Sequence, residues 1–403
     1  MNNFADIVFD NPAVQPDRTA LVCSRRSTSY AQLRERAGGV AGLLQEHGLG
    51  PGDRAAALMS NRSEYLEIYL GCALAGVALV PRNVRQLPAE QLRIMEDSGA
   101  RLLFVDERCA ASAASLHGAL PRLHAPVLVG SAAPGMVDYE AALASRRTWR
   151  PVDVGESAPA VLLYTSGTTS LPKGAMLTHG NLLANLSQYQ AAVGIRGGSV
   201  NLQLSPLFHA ASIFSFVHFL VGGTTILIDR VDPERIFGAI AEHRVSFMFT
   251  VPTVLYSLID DPARGRHDLS SLELIQYGAA PITGTRLREA IEVFGYRLIH
   301  SYGMTESTSH ISLLGPDDHR IAEGSVGRPL PGIDLRIAGA DGRQCAPGEV
   351  GEIRVRGPNV FRGYWNDAEE TARTLQGGWL HTGDLGYLDE RGFLYIAGRA
   401  REM

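Results

Sequence analysis

Residues 164–174 read YTSGTTSLPKG and follow the apolar run 160–163 directly. They hold five Ser/Thr hydroxyls, two glycines and one cation, Lys173. Hydroxyl and backbone N–H groups can donate several hydrogen bonds to one polyanion, and glycine lets the backbone approach it closely. The stretch is therefore typical of a phosphate-binding loop at the end of a strand, although flexible surface loops share this composition.

A Walker-type nucleotide loop is a close alternative, because it also places a lysine and a glycine-rich backbone on phosphates. In that motif glycine precedes the lysine, and serine or threonine follows it to bind Mg²⁺. Here Pro172 precedes Lys173 and Gly174 follows it. The order of residues therefore disfavours a P-loop NTPase, which we keep as the last alternative.

The composition is that of an ordinary α/β protein rather than of a nucleic-acid or membrane protein. The 403 residues are 45% hydrophobic and 20% charged, with a net charge of −5, so no basic surface for nucleic acid is indicated. The four cysteines lack metal-ligand spacing, which favours reduced thiols over zinc or disulfides. With no secretory leader and no apolar run of about 18 residues, we expect a cytoplasmic protein without a membrane span.

Helical and strand-like patterns alternate along most of the chain. Apolar residues recur at helical spacing at Leu33, Ala37, Val40 and Leu44, and again in a helix at 234–243. Strand-like runs occupy 101–105, 126–129, 224–228 and 245–250, and later 334–337, 351–356 and 392–396. We predict two α/β subdomains with parallel sheets in roughly 1–320 and a small β-barrel in roughly 321–398.

Further short motifs follow the hydroxyl-rich loop in a fixed order: YGAAP at 277–281, YGMTE at 302–306, GPNVFRGY at 357–364, HTGD at 381–384 and GR at 398–399. Upstream, AG at 75–76 and VP at 80–81 complete the set. Together they resemble the motifs of the superfamily of acyl- and aryl-CoA synthetases, luciferases and nonribosomal adenylation domains. The resemblance covers nearly all of the chain, so coincidence is a poor explanation.

The resemblance implies a five-layered large domain, residues 1–398, with a hinge stub at 399–403. It also implies that a mobile C-terminal domain, which carries a second catalytic lysine in the family, is absent from this chain. The implied reaction is attack of a carboxylate on the α-phosphorus of ATP, with Mg²⁺ as cofactor and coenzyme A as acceptor. Without the second lysine we expect slow turnover.

Site residues follow from the same resemblance. The implied phosphate-binding residues are Thr165, Ser166, Gly167, Thr168, Thr169 and Lys173. Thr305 is placed at the α-phosphate, with Glu306 and Thr165 at Mg²⁺. Gly278, Ala279, Ala280 and Tyr302 are placed around adenine, Asp384 at the ribose, and Arg399 at the ribose or a phosphate.

The chain departs from the family pattern in two places, one in the phosphate loop and one before Tyr302. Ser170 stands where glycine is usual, and His300 and Ser301 stand where an amide side chain and a small residue usually precede the tyrosine. A histidine still donates or accepts a hydrogen bond, but the contact to the adenine amine is then in question.

His209, in the segment 206–209, is implied beside the carboxylate of the substrate. Amino-acid-activating members carry an aspartate there, and an ammonium without that counter-ion is costly to bury, so we expect an acid without an α-amino group. Apolar walls are expected from Ala210, Ala211, Ile213, Phe214 and Phe216. Residues 307–310 either contact a substituent on the ring of an aromatic substrate or cap a helix. The sequence does not distinguish an aliphatic from an aromatic acid as the substrate.

The leading interpretation is thus an acid:CoA ligase catalysing adenylate formation. An adenylation enzyme that loads a carrier protein shares the first step and stays an alternative. A non-catalytic sensor of nucleotides or acyl metabolites is the alternative from a different class. The sequence leaves the oligomeric state open.

Overall fold

A computed structural model describes residues 1–24, 26–144, 148–165, 172–228 and 230–399. Its strands are β1 (Thr19–Cys23), β2 (Arg26–Ser29), β3 (Arg54–Leu58), β4 (Ala78–Pro81), β5 (Leu102–Asp106), β6 (Val127–Val129), β7 (Val137–Asp138), β8 (Pro159–Thr165), β9 (Lys173–Thr178), β10 (Val200–Gln203), β11 (Thr224–Leu227), β12 (Phe247–Thr250), β13 (Leu274–Gly278), β14 (Leu298–Tyr302), β15 (Ser312–Leu314), β16 (Arg328–Pro329), β17 (Asp334–Ala338), β18 (Gly351–Arg356), β19 (Leu375–Gln376), β20 (Trp379–Leu388) and β21 (Leu394–Arg399).

The helices are α1 (Asp6–Phe9), α2 (Tyr30–Glu46), α3 (Ser63–Ala75), α4 (Pro88–Ser98), α5 (Ala110–Ala119), α6 (Tyr139–Ala144), α7 (His179–Val193), α8 (Ile213–Leu220), α9 (Pro233–His243), α10 (Pro252–Asp260), α11 (Gly284–Phe294) and α12 (Ala368–Thr374). A short 3₁₀ turn, Thr305–Ser307, follows β14. None of the helices in the described part of the chain combines the length and apolar character needed to cross a bilayer.

Helix α2 illustrates how local sequence defines these elements. The Ser29 hydroxyl accepts the backbone N–H of Gln32, and the Gln32 side chain accepts the N–H of Ser29, so a capping box begins the helix. All four residues of its predicted apolar stripe are buried. The helix expected from the spacing of these four apolar residues is thus confirmed.

One sheet has seven strands in the order β7-β6-β5-β3-β4-β8-β9. Its strands are parallel except β9, which runs antiparallel to β8 and pairs Lys173 with Thr165 in register. The apolar run 160–163 lies in β8 and is buried, because helices cover both faces of such a sheet. Strands β8 and β9 therefore flank the predicted phosphate loop in the sequence, and residues 166–171 between them lie outside the described residues.

The second sheet has nine strands in the order β16-β15-β14-β13-β12-β10-β11-β1-β2. Strands β10 to β14 are mutually parallel where they pair, whereas β15 and β16 close one edge in antiparallel fashion. Strand β1 comes from the N-terminus and pairs in parallel with β11. The two parallel sheets confirm the predicted α/β class, while the contribution of β1 to the second sheet was not visible from the sequence.

The third sheet is antiparallel, with the order β17-β18-β20-β19 and with β21 also paired to β20. Its inner face buries Ile337, Ile353, Val355 and Leu380. This small curled sheet is the predicted barrel-like unit of the fold class. Arg399, which we expected to begin a hinge, is the last residue of β21 and pairs with Asp384 in register.

The end of the motif GPNVFRGY pairs with the seven-stranded sheet, although the motif lies within the range 321–398 predicted as a small β-barrel. Met176 N–H donates to the Gly363 carbonyl at 2.9 Å, and Arg362 N–H donates to the Met176 carbonyl at 3.1 Å. Trp365 N–H donates to the Gly174 carbonyl at 2.7 Å. Residues 362–365 thus cover the edge of β9, which would otherwise present unpaired backbone groups.

Buried histidines make the stability of the fold depend on pH. Burial lowers the pKa to about 4 for His179, His218 and His300, and to about 3 for His310. The unfolded chain takes up protons on these rings below about pH 6.5, whereas the folded chain does not until its lower pKa is reached. The free energy of unfolding should therefore fall as the pH is lowered from about 6.5 towards 4.

His218→Leu tests this prediction, because it removes one of the four groups from a fully buried position on α8. The free energy of unfolding is measured by denaturant titration at several pH values between 7.5 and 5. Its slope against pH should be smaller in His218→Leu than in the wild type, by up to about 1.4 kcal/mol per pH unit. His117→Leu, at an exposed position on α5, is the control and should keep the wild-type slope. Equal slopes for His218→Leu and wild type would contradict the prediction.

Candidate nucleotide site

Three of the predicted site residues lie at the carboxyl ends of strands from two sheets. Thr165 ends β8, Gly278 ends β13 and Tyr302 ends β14. Parallel sheets commonly bind ligands at this end, where the loops leave the strands. The predicted residues Ser166, Gly167, Thr168 and Thr169 lie outside the described residues.

Lys173 is the first residue of β9 and its ammonium is held by two groups. Its Nζ lies 2.6 Å from Glu370 Oε1 and 5.5 Å from the centre of the Tyr364 ring. Tyr364 belongs to the segment 362–365 that covers β9, and Glu370 lies on helix α12, which follows this segment. The cation therefore has a defined position at the base of the loop.

Glu306 lies in the 3₁₀ turn after β14 and is buried, with 7% of its surface exposed. Its Oε1 accepts the Tyr364 hydroxyl at 2.7 Å, and its carbonyl accepts Phe361 N–H at 2.8 Å. Burial, followed by the Glu306 charge, raises the pKa of Tyr364, so the phenol stays a donor. Lys173 and Glu306 thus share Tyr364, one through the ring and the other through the hydroxyl.

Thr305, half-buried in the same turn, is adjacent to Glu306. The described residues contain no group of three or more His, Cys, Asp or Glu side chains that could hold a metal by itself. Mg²⁺ commonly takes only one or two protein carboxylates and completes its shell with substrate phosphates and water. The buried carboxylate of Glu306 fits that mode of binding.

Asp384, predicted at the ribose, is buried and links two other predicted residues. Its Oδ2 accepts the Tyr302 hydroxyl at 2.7 Å, and its Oδ1 accepts Arg399 Nε at 3.1 Å. Burial, followed by the Asp384 charge, raises the pKa of Tyr302 well above its usual range, so this phenol also stays a donor. Tyr302, Asp384 and Arg399 therefore form one hydrogen-bonded group between β14 and the small sheet.

The predicted adenine-flanking turn begins beside Tyr302, because β13 and β14 pair Gly278 with Ser301. A Cβ on Gly278 would lie 2.7 Å from the Ser301 carbonyl oxygen, so only glycine allows this approach of the two strands. Ala279 has φ = 64°, an unusual value for alanine that turns the chain sharply, and Ala280 is exposed next to it. Strained backbone of this kind is concentrated at ligand sites.

His300 is fixed in the protein interior instead of projecting into open space. Its ring stacks on Tyr277, with centroids 4.4 Å apart and an angle of 12° between the planes. Its Nδ1 lies 2.9 Å from the Ser325 carbonyl, which is consistent with a donated hydrogen bond. This engagement explains how a histidine is accommodated at a position where an amide is usual.

His209 is exposed at the end of the segment 206–209, and its ring contacts Phe208 at 4.6 Å between centroids. The packing around the ring, followed by the charge of Arg85, lowers its pKa. His209 lines a cavity of about 20 Å³ together with Ala210, Ile213 and Phe216. That volume is close to one water molecule, so this cavity is narrow in the structure.

Phe214 and His310, which we expected to contact the acyl substrate, pack in the protein core instead. Phe214 stacks on Phe249, with centroids 4.6 Å apart, and does not line the cavity beside His209. His310 Nε2 lies 3.0 Å from Gln276 Nε2, in a fully buried position. The Ser307 hydroxyl accepts the N–H of Met304 at 3.1 Å, which favours the capping role for that residue.

Sequence reasoning missed Tyr364 and Glu370. Tyr364 closes the motif GPNVFRGY, to which the sequence assigns no role in the site, so its position was visible but its contacts were not. Glu370 stands in the run NDAEET, where it is indistinguishable from the neighbouring Glu369 without coordinates. Only the helix α12 shows which of the two carboxylates points at Lys173.

A sequence profile of the family described as AMP-binding enzyme matches residues 8–365. The chain belongs to this family. It is 36% identical to the feruloyl-CoA synthase of an Amycolatopsis species over 397 residues, which cover 97% of this chain and 77% of that protein. It is 33% identical to the fatty acid–[acyl-carrier-protein] ligase ScoC of Streptomyces coeruleorubidus, over 96% of this chain and 75% of that protein.

Among solved structures, the amide bond synthetase McbA from Marinactinospora thermotolerans superposes with a TM-score of 0.91 at 31% identity. The superposition covers 98% of this chain and 79% of that one. The resemblance stated from the ordered motifs is therefore confirmed. The roles of the single residues in this AMP-binding enzyme stay predictions.

Tyr364→Phe tests the hydroxyl that bonds the buried carboxylate. The variant leaves Glu306 Oε1 without this donor, so the free energy of unfolding should fall by about 1–3 kcal/mol in denaturant titrations at pH 7. Tyr387→Phe, on the half-buried face of the small sheet, is the matched control and should change stability by less than about 0.5 kcal/mol. A Tyr364→Phe protein as stable as wild type would show that the bond contributes nothing to the fold.

Proposed function

We propose that this chain uses ATP and Mg²⁺ to activate a carboxylic acid as an acyl-adenylate for transfer to coenzyme A. The observation that carries the proposal is the convergence of a lysine and a buried glutamate on one tyrosine. Lys173 Nζ lies 5.5 Å from the Tyr364 ring, and the Tyr364 hydroxyl bonds Glu306 at 2.7 Å. A cation and a carboxylate that are both fixed by one tyrosine suit the binding of a phosphate chain together with a metal ion.

The reaction requires two anions, the acid and the triphosphate, to approach each other. In the proposed site Thr165, Ser166, Gly167, Thr168, Thr169 and Lys173 bind the β- and γ-phosphates. Glu306, with Thr165, would hold Mg²⁺, which would neutralise phosphate charge, and Thr305 would contact the α-phosphate. Such fixed charges and donors lower the barrier by positioning and by stabilising developing charge.

The adenosine is bound by groups from both sides of the site. Tyr302 packs against adenine opposite Gly278, Ala279 and Ala280, and Asp384 accepts the ribose hydroxyls with Arg399 beside it. Tyr302 and Arg399 already form hydrogen bonds to Asp384. The ribose hydroxyls would therefore bind a carboxylate whose position these two residues fix. A carboxylate accepts several hydrogen bonds at once, so this sharing is chemically reasonable.

The proposed substrate is an aliphatic or aromatic acid without an α-amino group. His209 offers a neutral or donating ring at the acyl side, and Ala210, Ile213 and Phe216 supply apolar walls beside it. The feruloyl-CoA synthase relative supports an aromatic acid, and the fatty acid ligase relative supports an aliphatic one. The same fatty acid ligase favours a carrier protein as the alternative acceptor.

Acid-dependent exchange of pyrophosphate into ATP tests the proposed first step, because exchange needs an adenylate but no acceptor. Cinnamic, benzoic, aliphatic and amino acids form the test panel, and we expect exchange with a member of the first three groups. Lys173→Ala and Glu306→Ala should each reduce exchange by about a hundredfold or more. The slow turnover expected for the 403-residue chain stays a prediction that the same assay measures.

Glu242→Ala is the control, since this exposed carboxylate lies on α9 and should leave the rate unchanged. Release of inorganic phosphate without any acid would instead support an NTPase. Binding of ATP in a thermal-shift assay with no exchange for any acid would support a nucleotide sensor. Exchange that survives Glu306→Ala would contradict the metal site.

His209→Ala tests the acyl side separately. The variant should raise the KM for the acid by about tenfold and leave the KM for ATP within about twofold, because the lost contact is to the acid alone. The two constants come from exchange rates with one substrate varied at saturation of the other. A selective rise in the KM for ATP would place His209 on the nucleotide instead.

A further inference from the structure

The ion pair between Lys173 and Glu370 joins two parts of the chain that no motif connects. Lys173 begins β9, whereas Glu370 lies on α12, and their charged atoms are 2.6 Å apart. Only 20% of the lysine side chain and 12% of the glutamate side chain are exposed. An ion pair at such partial burial is screened less by solvent than a surface pair is.

Local structure holds the Glu370 carboxylate in place. Asp367 caps α12 by accepting Glu370 N–H at 2.9 Å, and Arg373 forms a second ion pair with the other carboxylate oxygen. The Lys173 hydrogen bond, the largest cause, lowers the pKa of Glu370, so the carboxylate is ionised at neutral pH. Neighbouring Glu369 makes a different contact, 3.7 Å from Arg373, with 84% of its side chain exposed.

The position of α12 relative to β9 is itself fixed by hydrogen bonds. The Thr371 hydroxyl accepts Tyr364 N–H at 2.8 Å and donates to the Asp367 carbonyl at 2.7 Å. Residues 362–365 pair with β9, so the helix that follows them cannot shift without breaking that pairing. Glu370 is thus presented to Lys173 by a rigid support.

We propose that Glu370 is a positioning residue, which holds the Lys173 ammonium where it meets the terminal phosphates of ATP. This inference rests on the proposed adenylation function. A lysine side chain has many rotamers, and fixing its ammonium before the nucleotide arrives reduces the entropy that binding must supply. One carboxylate leaves further ammonium hydrogens free to donate to phosphate oxygens.

Glu370 also brings a negative charge close to a polyanion, so its two effects oppose each other. If repulsion dominated, removal of the charge would tighten ATP binding. If positioning dominates, as we propose, removal of the charge weakens it. The sign of the change therefore distinguishes a positioning residue from a competing counter-ion.

The test is a double-mutant cycle on Lys173 and Glu370, read out as the KM for ATP–Mg²⁺ in pyrophosphate exchange. Glu370→Gln should raise this KM by about tenfold, the scale of a charge-assisted hydrogen bond, with less change in the KM for the acid. In a Lys173→Met background the same substitution should change the KM by less than about twofold, because the group it positions is gone. Glu370→Asp should restore part of the loss.

Glu369→Gln is the matched control, one residue away on the same helix, with a side chain that is 84% exposed. It should leave the KM for ATP within about twofold of wild type, and thermal unfolding of every variant verifies folding. Unchanged or tighter ATP binding in Glu370→Gln, or an equal loss in both lysine backgrounds, would overturn the inference. Absence of exchange in the wild type for every acid would instead overturn the proposed function. In that case, the Kd for ATP–Mg²⁺ of Glu370→Gln and of the wild type still tests the role of the ion pair.

Discussion

The pairing of residues 362–365 with the edge of β9 is the constraint on which the rest of the site depends. Three backbone hydrogen bonds of 2.7–3.1 Å attach a segment between two strands of the small sheet to the seven-stranded sheet. They place the Tyr364 side chain between Lys173 and Glu306, and they set the direction of α12. Since all three bonds are made by the main chain, the register of this attachment fixes every side chain it carries.

Two buried carboxylates of the site are stabilised in the same way. Glu306 accepts the Tyr364 hydroxyl and Asp384 accepts the Tyr302 hydroxyl, each at 2.7 Å. A buried carboxylate without a donor is costly, and a neutral phenol lowers that cost without cancelling the charge. Each carboxylate keeps further oxygen lone pairs for a metal or for ribose hydroxyls, and Asp384 in addition pairs with Arg399 Nε at 3.1 Å.

The same tyrosines join the sheets across the site. Tyr302 at the end of β14 reaches the small sheet through Asp384, and Tyr364 reaches the turn after β14 through Glu306. The adenylation reaction proposed here needs a nucleotide and an acid held in a fixed relation. These two tyrosine–carboxylate contacts, which link elements of the three sheets, provide that relation with few side chains.

The sequence by itself determined several elements, the fold class and the family. Periodicity located α2 and α9, and the strand-like runs 101–105, 224–228 and 351–356 overlap β5, β11 and β18. The order of short motifs identified the AMP-binding family. These features are local, because a repeat of 3.6 or 2 residues or a run such as YGMTE is complete within one stretch of chain.

Only the tertiary structure decided which distant residues meet. Nothing in the sequence distinguishes Glu370 from Glu369, assigns Tyr364 to Glu306, or places β1 in the second sheet beside β11. Phe214 likewise matched the expected acyl wall in type but packs in the core. Such contacts join residues dozens of positions apart, and the packing of the three sheets, rather than any local pattern, brings them together.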